Sequence, residues 1–140
     1  MNKKIIIIAS KFNQEISQGL VNGAKKACDE ENIAIMDIKW VAGAFELPLI
    51  SDFYLKNCDG IIACGVIIKG ETAHFESVCD GCTQGIMSVM LNHKKPIAFS
   101  VLMTYSRLQA EARSQNNEKN KGYTSTKALV DSLELIKNEF

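Results

Sequence analysis

Ile61-Ile62-Ala63-Cys64-Gly65-Val66-Ile67-Ile68-Lys69-Gly70-Glu71-Thr72-Ala73-His74-Phe75 is the stretch on which the fold turns. It opens as a continuous apolar run, the pattern of a strand buried on both faces, and breaks at Gly70. A helical pattern follows at once. Phe75, Val78, Cys79, Cys82, Ile86, Val89 and Met90 recur at three- and four-residue steps, the spacing of one helix face. The joint holds a glycine, a carboxylate, a hydroxyl and a histidine. A strand feeding a helix N-terminus through Gly70 and Thr72 presents free backbone N–H groups and a positive dipole end, which together attract an anion. His74 beside it can move protons near neutral pH. Thr72 as an ordinary helix N-cap is the competing reading.

The same alternation runs along the rest of the chain. Lys4 to Ser10 reads as a strand of consecutive isoleucines. Asn13 can cap a helix whose apolar side is Ile16, Leu20, Ala24, Ala27 and Cys28. Ile33 to Val41 reads as a second strand, its pattern blurred by Asp37 and Lys39. Pro48 suits the first turn of a helix carrying Leu49 and Phe53. Pro96 introduces a fourth strand, Ile97 to Leu102. Ser106 and Gln109 have capping-box spacing for a short helix through Arg113. Ser114 to Lys119 reads as a loop, and Leu129, Leu133, Ile136 and Phe140 mark a closing helix. Strands and helices in alternation, with the strands almost wholly apolar, imply an α/β fold with a parallel sheet covered by helices on both faces.

With 140 residues the chain is expected to form a single domain, 1–140. Sixteen basic and sixteen acidic residues cancel, so no net field draws nucleic acid or an anionic membrane. The run Ile5 to Ile8 is too short for a signal peptide or membrane span, and the expected location is cytoplasmic. Five cysteines, at 28, 58, 64, 79 and 82, show no framework spacing. Cys79 and Cys82 fall on the apolar helix face with no second pair to complete a zinc site, so core packing is the reading and no metal is expected. Neither GxGxxG nor a Walker-type loop is present.

Open α/β sheets bind ligands outside the carboxyl ends of their strands. Lys11-Phe12-Asn13, Gly43-Ala44-Phe45-Glu46, Gly70 to His74 and Met103-Thr104 each follow one of the expected strands, so all fall on that edge. In these residues the chain resembles the lumazine synthase family of riboflavin biosynthesis. The likeness runs from Lys11-Phe12-Asn13 through Gly43 to Pro48 and the Gly-Glu-Thr-x-His core. It continues to Gln109-Ala110, Arg113 and Asn120-Lys121-Gly122, in the family's order and across almost the whole chain. The resemblance implies a three-layer flavodoxin-like fold with a four-stranded parallel sheet. It also implies a cofactor-free condensation of 5-amino-6-(D-ribitylamino)uracil with 3,4-dihydroxy-2-butanone 4-phosphate, releasing phosphate and water. Homo-oligomers follow too: rings of five or a multiple, with sites between adjacent subunits.

The roles below are what the resemblance implies. Phe12 stacks on the pyrimidine, where a core plug is the plain alternative, and Asn13 contacts the ribityl chain, where helix capping is. Ala44 and Phe45 offer backbone groups, and Glu46 accepts ribityl hydroxyls, where a favourable first-turn charge is the alternative. Val66, Ile67 and Ile68 flank the ring. Gly70, Glu71 and Thr72 form the phosphate turn, Glu71 through its N–H with its side chain turned away. His74 is the proton shuttle, against the plainer reading of a surface histidine; His93 is read as structural. Arg113 grips phosphate with its planar fork, against a solvated charge at a helix end. Lys121 reaches the pyrimidine or ribityl side, with a surface lysine as its alternative. Phe99 closes the pocket from a neighbouring subunit, where on its own it would read as core.

The chain departs from the family in several places. It begins almost directly with the first strand, which weakens the case for a shell. Lys69 stands where arginine is common, and Met103-Thr104-Tyr105 replaces a threonine pair with an acid. His93-Lys94-Lys95-Pro96 replaces a tighter, glycine-containing approach to the fourth strand. Ser114 to Lys119 lacks expected glycines. Three other functions compete. An archaeal-type riboflavin synthase would need neither Arg113 nor the phosphate turn. A flavin or lumazine carrier would not need His74. A flavodoxin-like redox module would need a hydroxyl-rich loop where Lys11-Phe12-Asn13 sits.

Overall fold

Apolar runs become strands and amphipathic runs become helices, alternating as far as the fourth strand, after which two helices close the chain. The computed structural model describes residues 2–137. In order they form β1 (Lys4–Ser10), α1 (Gln14–Glu30), β2 (Ala34–Val41), a 3-10 turn (Ala44–Glu46), α2 (Leu47–Leu55) and β3 (Gly60–Ile68). Then come α3 (His74–His93), β4 (Ile97–Thr104), α4 (Arg107–Ala112) and α5 (Lys121–Lys137). The four strands pair in parallel in the order β2-β1-β3-β4. That is a three-layer flavodoxin-like arrangement.

The period of two along each strand divides the core. Ile5, Ile7 and Ala9 of β1, with Ile62, Cys64 and Val66 of β3, face α1 and α5. Ile6 and Ile8, with Ile61, Ala63 and Ile67, face α2 and α3. Both faces of β1 and β3 are therefore buried, which is why their sequences show no polar alternation.

β2 is blurred in sequence because of a bulge. The register passes from Ile5↔Ile35 to Ile6↔Asp37, leaving Met36 unpaired. The extra residue resets the alternation, so Ile35 before it and Ile38 and Trp40 after it all pack on the α1/α5 side. Asp37 and Lys39 pair at 2.9 Å on the other face.

Several expectations are corrected. Asn13 sits at the N-cap of α1 with φ 59°, and its side chain makes no capping bond; in that left-handed conformation its amide is turned to another partner, Arg107. β4 extends two residues past Leu102 because Ile68 still pairs with Thr104. Ser106 does cap α4, its hydroxyl accepting from the Gln109 N–H at 3.2 Å, but α4 ends at Ala112, with Arg113 as its C-cap. The Gln109 side chain accepts from Tyr105 N, one residue before the box predicts. Leu49, Phe53 and Ile136 are exposed, and Phe140 lies outside the described residues. Of the predicted α3 stripe, only Cys82, Ile86 and Val89 are buried; the others are partly covered.

Burial holds three thiols protonated. Cys28 is pushed up to about 11 by burial and then by Asp29, and Cys64 and Cys82 are each pushed up to about 12, chiefly by burial. In the unfolded chain these thiols ionise near their ordinary 9.0. The unfolded chain thus loses its protons first as pH rises, and their contribution to stability declines from about pH 9 to pH 12. The urea midpoint should therefore fall between pH 8.5 and 10.5, roughly over the onset of that window. A Cys28→Ala, Cys64→Ala, Cys82→Ala variant should show a shallower pH slope, whatever its absolute stability. An identical slope would contradict this account.

Candidate functional site

The end of β3 is where the backbone changes partners. The Lys69 N–H still donates to Thr104 O at 2.9 Å. Beyond it Gly70, Glu71 and Thr72 leave the sheet as an exposed turn, and their N–H groups have no acceptor among the described residues. α3 starts only at His74, with Ala73 rather than Thr72 as its N-cap. Thr72 Oγ1 instead accepts from the His74 N–H at 3.3 Å. Lys69 Nζ reaches back to Glu76 at 3.1 Å and lies 5.4 Å from the Phe75 ring centre, tying the first turn of α3 to the strand end. Open N–H groups at the start of a 20-residue helix make a place suited to an anion.

Two other segments complete a cavity of about 730 Å³ over this turn. Lys11 N–H and Phe12 N–H donate to Val41 O and Ala42 O, so the ends of β1 and β2 hold Phe12 by its backbone. Its ring is 70% exposed. The 3-10 turn adds Ala44, Phe45 and Glu46 to the lining, and Glu46 Oε1 accepts from the Gly43 N–H at 2.9 Å. That bond aligns the carboxylate and occupies only one of its two oxygens.

Close approach is made by absent side chains. A Cβ on Gly65 would meet Leu47 Cδ1 at 3.0 Å and Ala44 Cβ at 3.3 Å, so the bare strand admits the 3-10 turn. On α3, a Cβ on Gly81 would meet the Phe45 ring at 2.8 Å, and one on Gly85 would meet Pro48 at 2.7 Å. These glycines seat Phe45 and α2 against α3.

The cavity unites Phe12, Ala44, Phe45, Glu46, Val66, Ile67, Ile68, Gly70, Thr72 and His74. Asn13, Glu71, Phe99, Arg113 and Lys121 do not line it. Phe99 and Lys121 line a separate groove of about 520 Å³ along the open edge of β4, between α3 and α5. Arg113 lines neither and is joined to Lys121 only through its backbone, the Lys121 N–H donating to Arg113 O at 2.9 Å. Its guanidinium donates to Gln109 O at 2.8 Å, at the C-terminal end of α4. Ala42, Gly43, Phe75, Ser77 and Val78 also line the cavity and were not among the expected site residues. The α3 residues had a legible signal: His74, Ser77 and Val78 share one helix face by three- and four-residue steps. Among the described residues no group of three or more His, Cys, Asp or Glu could hold a metal, and no helix is long and apolar enough to cross a membrane.

The arrangement is that of a flavodoxin-like α/β protein with a small-molecule cavity at the carboxyl ends of its strands, combining exposed aromatic rings, a carboxylate, an anion-ready turn and a histidine. Residues 2–137 match the 6,7-dimethyl-8-ribityllumazine synthase family, and the chain belongs to that family. The 6,7-dimethyl-8-ribityllumazine synthase of Pediococcus pentosaceus is 38% identical over 136 residues, covering 94% of this chain and 87% of that one. The 6,7-dimethyl-8-ribityllumazine synthase 1 of Caulobacter vibrioides is 37% identical over 138 residues, covering 96% of this chain and 90% of its own. The synthase of Bdellovibrio bacteriovorus is 37% identical over 136 residues, covering 94% of this chain and 74% of its own.

The two α3 glycines should respond differently to a methyl group. Gly85→Ala forces a contact with the rigid Pro48 ring in the first turn of α2 and should cost about 1–3 kcal/mol. Gly81→Ala meets the far edge of the Phe45 side chain, which is 61% exposed and free to swing, and should cost clearly less. Urea melts of the two variants check the ordering. Equal losses would show that Phe45 is held as firmly as Pro48.

Proposed function

We propose that this chain condenses 5-amino-6-(D-ribitylamino)uracil with 3,4-dihydroxy-2-butanone 4-phosphate to give 6,7-dimethyl-8-ribityllumazine, phosphate and water. The pyrimidine amine adds to the ketone and forms an imine with loss of water. Phosphate elimination and rearrangement follow, and ring closure of the second amine onto the remaining carbonyl releases a second water. In this reading Phe12 stacks on the pyrimidine between Ala44, Phe45 and the strand residues Val66, Ile67 and Ile68. The free oxygen of Glu46 accepts ribityl hydroxyls, with Asn13 beside that chain. The N–H groups of Gly70, Glu71 and Thr72 receive the phosphate. His74, exposed in the first turn of α3, moves the proton that accompanies its departure. Holding two reactants together supplies a large share of the rate, so the histidine assists.

One observation carries this reading. The proposed residues fall into two groups on one chain: a cavity at the strand ends, and outside it Phe99 and Lys121 in a groove along the open edge of β4, with Arg113 joined to Lys121 through its backbone carbonyl. Neither group is a complete site for a phosphorylated ketone and a pyrimidine together. Head-to-tail packing would bring the β4 edge of one copy over the cavity of the next, and repetition of that contact closes a ring. A ring of five or a multiple of five, working in the cytoplasm, is the assembly proposed.

Particles refolded from a mixture of Phe12→Ala and Arg113→Ala chains test it. Each variant alone should be nearly inactive, whereas mixed rings should recover roughly a quarter of the wild-type rate of lumazine formation, the share of interfaces with both halves intact. Mixed particles of correct mass with no regained activity would overturn the shared site. In a separate assay, His74→Ala should slow turnover by less than the ~10²–10⁴-fold typical of an essential acid–base group, with particle mass unchanged. An unaltered rate would remove His74 from the mechanism.

A further inference from the structure

Asn13 is the residue whose geometry the proposed reaction leaves unexplained. It stands at the N-cap of α1 in a left-handed conformation, φ 59° and ψ 49°, yet its side chain caps nothing. Its carbonyl takes the N–H groups of Ile16 and Ser17, so the backbone alone starts the helix. The amide oxygen instead accepts from Arg107 Nη1 at 3.3 Å, across 94 residues of sequence.

Arg107 is well placed to hold it. Its Nε donates to Glu111 Oε2 at 3.1 Å, and its Nη2 lies 3.8 Å from Glu15 Oε2. Each nitrogen of the fork thus meets a different acceptor, an arrangement that the single ammonium of lysine cannot copy. The base of Arg107 is also fixed. Thr104 Oγ1 donates to Ser106 O at 2.8 Å, the Tyr105 N–H donates to Gln109 Oε1 at 2.8 Å, and Ser106 caps the helix.

A guanidinium has only donors. Facing it, the asparagine amide has one favourable orientation, with its oxygen toward Arg107 and its NH₂ group left over. We infer that Arg107 is a positioning residue for the pyrimidine substrate: it sets the Asn13 amide so that the NH₂, a donor, is presented to a hydroxyl of the ribityl chain. Without Arg107 the amide turns freely and offers donor and acceptor with similar frequency. Arg107 also ties the Phe12–Asn13 turn to the start of α4.

This inference rests on the proposed reaction, and kinetics separate the two. If the wild-type protein forms no lumazine from the two substrates, the proposed function fails first, and with it the role given to Arg107. With an active wild type, Arg107→Ala should raise KM for the pyrimidine ~3- to 10-fold, the scale of one lost hydrogen bond, and leave KM for the butanone phosphate unchanged. Melting temperature should stay the same, because the side chain is half-exposed. Arg107→Lys should not restore the wild-type KM. Adding Arg107→Ala to Asn13→Ala should change nothing further, since the amide it orients is gone. An unchanged pyrimidine KM in Arg107→Ala, proportional increases for both substrates, full rescue by lysine, or multiplied effects in the double variant would each overturn the inference.

Discussion

The parallel pairing of β3 with β1 on one side and β4 on the other is the constraint from which the rest follows. Eight of its nine residues are buried, so neither face has room for a polar side chain. The strand can release hydrogen-bonding groups only at its end. The last rung, Lys69 N–H to Thr104 O, closes the sheet, and the next three residues carry N–H groups without partners among the described residues. Those groups, backed by the positive end of α3, give the cavity its anion-ready side. The ends of β1 and β2 supply the facing wall because the same parallel register brings them to the same edge.

Glycine does the fine fitting. Gly65 lets the 3-10 turn rest on β3, and Gly81 and Gly85 let Phe45 and Pro48 rest on α3. On the opposite layer, a Cβ on Gly23 would collide with the Asn120 side chain, and one on Gly122 with the Leu20 carbonyl. α1 and α5 therefore pack with the segment before α5 pressed between them. Asn120 then donates to Gly19 O at 3.1 Å and to Gln115 O at 2.9 Å, which orders a loop of little regular structure. The same loop carries the chain from Arg113 to Lys121, so this packing also seats Lys121 beside β4.

Most of the architecture was readable from pattern. β1 matches its apolar run residue for residue, and α1 buries every position of the predicted stripe. Failures arose where a local rule had a tertiary competitor. Asn13 has the chemistry of a cap, but Arg107 offers its amide a charged donor. Thr72 does accept the His74 N–H, but α3 begins one residue later than a Thr72 cap requires, and the capping-box glutamine serves the N–H one residue before the predicted one. β2 concealed a bulge, which no single-sequence period reveals. Leu49, Phe53 and Ile136 look like core by composition yet face outward. Ten of the proposed site residues converge on one cavity, and the pattern of strand ends had already placed them on one edge.

The chain's order of apolar and polar residues determined the element sequence, the two-faced burial of the central strands and the edge on which the reactive groups gather. These are local consequences of period and of where a strand must stop. Only the folded structure decided that Phe99, Arg113 and Lys121 stand apart from the cavity, Phe99 and Lys121 in a groove along β4. Sequence order cannot convey that separation, because it depends on which strand ends up at the sheet's border and on how the loop before α5 is seated. Which oxygen of a carboxylate is occupied, and which way an asparagine amide turns, are likewise set by partners distant in the chain. Those contacts exist only after packing has closed.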